Sequence, residues 1–100
     1  MSAITLTEEN FDKEVRQSPL PVLVSYHSSN NGNGNDSVDS VSRHLNGVLK
    51  CCKINVGTVP SLAKKYRVHS VPTIQLFQEG RVTDTIVGTM RTEQLMRILQ

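Results

Sequence analysis

The chain has 100 residues, 37% of them hydrophobic and 20% charged, which is enough for one core and too apolar for global disorder. The net charge is +2, with Lys64, Lys65 and Arg67 as the dense basic spot; the four aromatics Phe11, Tyr26, Tyr66 and Phe77 do not build a base-stacking platform with it, so nucleic acid is not an expected partner. No apolar run reaches the length of a membrane span, and Met1-Ser2-Ala3-Ile4 carries no signal-peptide pattern, so a monomeric protein of the cytoplasm without a membrane partner is expected.

In chain order, Ile4-Thr5-Leu6 reads as a short strand, and Thr7 caps a helix with Glu8 and Glu9 in its first turn and Phe11 and Val15 on its core face. Ser18-Pro19-Leu20-Pro21 ends that helix. Pro21 to Tyr26 is β-branched and nearly all apolar, as a strand covered on both faces is. Ser28 to Asn35 is then wholly polar, glycine- and asparagine-rich, and reads as an exposed loop. Val38, Val41 and Leu45 recur at helical spacing after a cap at Asp36 or Ser37, and Asn46-Gly47 is the stop signal.

Val48 to Val56 predicts a second long strand, Gly57-Thr58-Val59-Pro60 a turn, and Ser61 to Tyr66 a short helix that buries Leu62, Ala63 and Tyr66. Thr73 to Phe77 and Arg81 to Val87 form a hairpin about Glu79-Gly80. Gly88-Thr89 leads into a last helix with Leu95, Ile98 and Leu99 on one face. The order β-α-β-α-β-α-β-β-α predicts a single α/β domain over residues 1–100, a central mixed β-sheet with helices on both faces.

Strand, polar loop, helix N-terminus is a common place for an active site, but this loop holds no Cys, Lys, His or Glu. The two cysteines, Cys51 and Cys52, are adjacent, which is neither a disulfide framework nor a zinc pattern. Neighbours on a strand point to opposite faces, so both thiols are expected to be buried and apart. His27 and His69 lack a Cys or carboxylate partner for a metal, and Asn31 to Asp36 lacks the spacing and closing Glu of a calcium loop. An anion at the helix start would meet Asp36 and Asp39. No metal and no cofactor are expected.

Ser70-Val71-Pro72-Thr73 before an apolar strand, with Leu76 to Val82 and Val87-Gly88 after it, resembles the C-terminal half of the thioredoxin family. Asn10-Phe11-Asp12, Pro21 to Val24, Lys53 to Val56 and Ala63 to Tyr66 extend the likeness over the whole chain, with the second helix about one turn short. The resemblance implies a thioredoxin-like fold. Where the family carries Trp-Cys-Gly-Pro-Cys, however, this chain has Asn30-Asn31-Gly32-Asn33-Gly34.

Asn31 thus replaces the nucleophilic cysteine and Gly34 the resolving one, and an amide supplies no thiolate at any pH. Ser25 stands where the family has its buried aspartate, while the usual lysine partner is matched by Lys53. What the resemblance leaves is the groove of the cis-proline: Val71, Pro72, Gly88 and Thr89, beside Asn30, Asn31, Gly32 and Asn33. The resulting expectation is a redox-inactive module that binds a protein or extended peptide there. Two alternatives stand beside it. The proline turn can serve the fold alone, or the chain can be a thiol-disulfide oxidoreductase of cell redox homeostasis that works with partner thiols or through Cys51 or Cys52.

Overall fold

The computed structural model describes residues 3–28, 36–45, 47–88 and 91–99. Its strands are β1 (Ile4–Thr5), β2 (Val22–His27), β3 (Lys50–Asn55), β4 (Thr73–Gln78) and β5 (Arg81–Val87); its helices are α1 (Asp36–His44), α2 (Pro60–Lys65) and α3 (Thr92–Leu99). They form one five-stranded sheet in the order β1-β3-β2-β4-β5. The first three strands in this order run parallel, and β4 and β5 are antiparallel additions.

Between β1 and β2 the chain winds into one stretch of π pitch, Asp12–Arg16, closed by the Gln17 amide on the Asp12 carbonyl at 3.0 Å. It starts on a reciprocal cap. The Asn10 amide donates to Thr7 Oγ1 at 3.2 Å, and the Thr7 amide donates to Asn10 Oδ1 at 2.7 Å. Lys50 fastens this stretch to β3 by donating to the Glu14 carbonyl and carboxylate at 3.2 and 3.1 Å.

Strand alternation divides the core into two layers. Val22, Val24 and Tyr26 of β2, Cys52 and Ile54 of β3 and Phe77 of β4 meet Phe11, Val15, Leu62 and Ala63 on one face. Leu23, Cys51 and Ile74 meet Val38 and Val41 of α1 and Leu95 of α3 on the other. Helices therefore cover both faces, as the order of elements requires. The Ile98 and Leu99 side chains lie outside the described part.

Most strands differ from the sequence reading by a residue at an end, and the larger differences are at the third strand and the helix after it. The third strand begins at Lys50 because the Val48 and Leu49 amides are both taken by the Leu45 carbonyl, at 2.9 and 3.0 Å, which leaves Val48 in a turn and exposed. The helix read from Ser61 starts at Pro60, whose missing N–H costs nothing in a first turn. Tyr66 is half-buried and follows that helix instead of lying in it. The hairpin turn is built as the sequence suggests: Glu79 and Gly80 both have positive φ, 54° and 79°, which matches the twist of the flanking strands.

Candidate functional site

The groove residues converge where the segment after α2 enters β4. The Val71–Pro72 peptide bond is cis. The Pro72 carbonyl accepts the Gly88 amide at 2.9 Å, so the turn before β4 is tied to the exit of β5. Thr73 locks the approach by donating its hydroxyl to the Ser70 carbonyl at 2.7 Å. Gly88 has φ +108°, a conformation that side-chain-bearing residues avoid, and a Cβ there would meet nothing within 4 Å. Glycine is thus required by the backbone, and the space above it is open among the described residues.

Upstream, Val56, Ala63, Val68, His69, Ser70 and Val71 line a cleft of 160 Å³. A polar chain links β2, β4, β5 and the end of α2. The Tyr26 hydroxyl donates to Gln75 Oε1 at 2.8 Å, and Gln75 Nε2 donates to the Tyr66 carbonyl at 3.2 Å and to Thr85 Oγ1 at 3.4 Å. Burial pushes the Tyr26 phenol well above its ordinary value, so it stays protonated and can only keep donating. The Val68 amide bonds the Ala63 carbonyl at 2.8 Å, and Arg67 takes a left-handed φ of 60° to make that turn.

Of the residues singled out by sequence, the structure brings together Val71, Pro72 and Gly88. Asn30, Asn31, Gly32, Asn33, Gly34 and Thr89 lie outside the described residues. Ser25 is fully buried in the middle of β2, and its register partner on β3 is Lys53, which is half-buried. Position 25 is thus inside the sheet and occupied by a hydroxyl that does not ionise near neutral pH.

Cys51 and Cys52 enter opposite core layers and are both buried. Burial pushes the Cys52 thiol up to about 12, an effect that the Lys50 ammonium only partly offsets. Among the described residues no cluster of three His, Cys, Asp or Glu could hold a metal, and no helix is long and apolar enough to cross a membrane.

Sequence reasoning missed Gln75 and the cleft residues Val56, Ala63 and Val68. Gln75 was detectable: it shares the inward period of Thr73 and Phe77, where a polar side chain demands a partner. Larger surface clefts, of 480 Å³ beside His44, Met96 and Arg97 and of 290 Å³ beside Glu8, Arg16 and Lys65, have none of the residues just described in their lining.

The family model called Thioredoxin matches residues 2–100. The chain is 34% identical to a thioredoxin of Rickettsia felis over 97 residues, covering 94% of this chain and 92% of that one. It is 33% identical over 99 residues to a thioredoxin of Pseudomonas aeruginosa, covering 96% and 92%. It is 31% identical over 100 residues to thioredoxin 1 of Synechococcus elongatus, covering 97% and 94%. Fold, sheet order and near full-length similarity agree: this chain belongs to the thioredoxin family.

Proposed function

We propose that this chain is a redox-silent thioredoxin-like module of the cytoplasm, acting as a monomer without cofactor, metal, nucleic acid or membrane. It holds an extended segment of a protein partner in the groove of Val71, Pro72 and Gly88, with Asn30, Asn31, Gly32, Asn33 and Thr89 alongside. The observation that carries this reading is the state of the thiols. The chain has two cysteines in all, and both are buried in opposite core layers. Reduced, buried thiols also suit a reducing compartment.

The experiment is a titration of the nitrogen-15-labelled protein with a cysteine-free extended peptide, followed by amide shifts. Expected are shifts concentrated at Val71, Thr73 and Gly88, equal in wild type and in the Cys51→Ser/Cys52→Ser variant. Shifts that avoid Val71 and Gly88, or that vanish in the cysteine-free variant, contradict the reading.

A second reading has one observation in its favour, the name thioredoxin carried by the relatives. In it, the chain is an oxidoreductase that uses partner thiols or an opened Cys51 or Cys52. Its cost is the thiolate. With Cys52 held near 12, nucleophilic attack at neutral pH requires local opening of the sheet first.

A further inference from the structure

The charges are distributed unevenly along the chain. All nine acidic residues fall within 8–39 and 79–93, so the whole stretch from Ser40 to Gln78 has none. That same stretch contains six Lys and Arg residues: Arg43, Lys50, Lys53, Lys64, Lys65 and Arg67. It also supplies every residue lining the 160 Å³ cleft, and each of these is neutral or, as His69, basic.

Two cations adjoin the cleft-lining residues in sequence. The Arg67 amide bonds the Lys64 carbonyl at 3.2 Å, which sets the two cations on one turn directly after Ala63 and before Val68, both of which line the cleft. Both side chains are exposed. The ion pairs of the described residues, Arg16 with Asp12 and Lys50 with Glu14, use neither of them. Lys65 is occupied otherwise, lying over the Tyr66 ring at 5.7 Å. Tyr66 stands inside the basic run, and its ring packs against Phe11 and Phe77 with Lys65 over it.

From this geometry we infer that the groove selects an acidic extended peptide: an apolar residue enters the cleft of Val56, Ala63, Val68 and Val71, and Asp or Glu beside it meets Lys64 and Arg67. The inference rests on the groove reading above and adds the chemistry of the partner. Two exposed cations outside the ion pairs of the described residues raise the encounter rate with an anionic segment and disfavour a cationic one, while the neutral cleft gives position.

The test uses fluorescein-labelled Asp-Glu-Ser-Val-Thr-Val-Ser-Asp-Glu, its counterpart with Lys at the four acidic positions, and its counterpart with Gln there, measured by anisotropy. Expected is binding of the acidic peptide roughly tenfold tighter than the lysine peptide at about 50 mM salt, with the gap narrowing near 200 mM. The double variant Lys64→Glu/Arg67→Glu is expected to reverse the order while melting as wild type does. Equal binding of the three peptides by the wild type overturns the inference and leaves the groove reading standing. Absence of binding by all three overturns both. An oligothymidylate of equal charge that binds as tightly as the acidic peptide also overturns it, in favour of a general polyanion surface. The wild-type comparison stands whether or not the double variant folds.

Discussion

Phe77→Ala is expected to destabilise the protein by about 3–5 kcal/mol, the usual cost of emptying a buried phenylalanine site. Phe77 is 1% exposed and joins three elements. Its ring meets Tyr66 edge-on at 5.2 Å and Phe11 edge-on at 6.0 Å, while its backbone pairs with Val22 at the centre of the sheet. Edge-to-face pairs add roughly 0.5–1.5 kcal/mol each beyond area. The site cannot collapse easily, because β4 beneath it is anchored on both sides, by β2 and β5. A domain of this size has about 5–15 kcal/mol of stability in total, so the loss is a large share and lowers the melting midpoint by on the order of 12–40 °C. Thermal and urea unfolding check it. A loss below about 1 kcal/mol means that the three rings do not pack as described.

Asn31→Cys with Gly34→Cys is expected to turn a chain without a surface dithiol into one that closes a disulfide under mild oxidant. The resemblance of the flanking segments implies that these two positions stand where the family carries its cysteine pair. The new thiol at 31 lies shortly before α1, which starts at Asp36, and a helix start lowers a thiol's pKa. It should therefore alkylate faster near pH 7 than an ordinary cysteine. Turnover should stay poor, because Ser25, although buried in register with Lys53, cannot relay a proton as a carboxylate does. Adding Ser25→Asp should raise the rate. Mass on oxidation and pH-dependent alkylation read both steps. Thiols that stay reduced under an oxidant that closes ordinary disulfides would show that the two positions are not paired.

Much of the fold is legible because alternation and helical spacing are local signals. Val22, Val24 and Tyr26 against Leu23 and Ser25 announce a strand buried on both faces, and the opposed burial of Cys51 and Cys52 follows from the same period. Val48 and Leu49 misled, since their β-like sequence is overruled by one carbonyl, that of Leu45, which takes both amides. The π pitch at Asp12–Arg16 has no sequence mark.

At the site, Val71, Pro72 and Gly88 are legible through resemblance, and the same resemblance implies that Asn31 and Gly34 stand where the family has its two cysteines. The left-handed turn at Arg67 is not legible, because nothing in an arginine announces positive φ. That turn joins Lys64 and Arg67 between Ala63 and Val68, which line the cleft.

The central claim is that the family's groove persists here without its thiol chemistry, and insulin reduction with dithiothreitol as donor tests it most directly. The account predicts precipitation of insulin at the protein-free rate, unchanged in Cys51→Ser/Cys52→Ser, because both thiols are buried and Cys52 is held near 12. A clear acceleration by the wild-type protein would contradict it, and loss of that acceleration in the cysteine-free variant would assign the activity to Cys51 or Cys52.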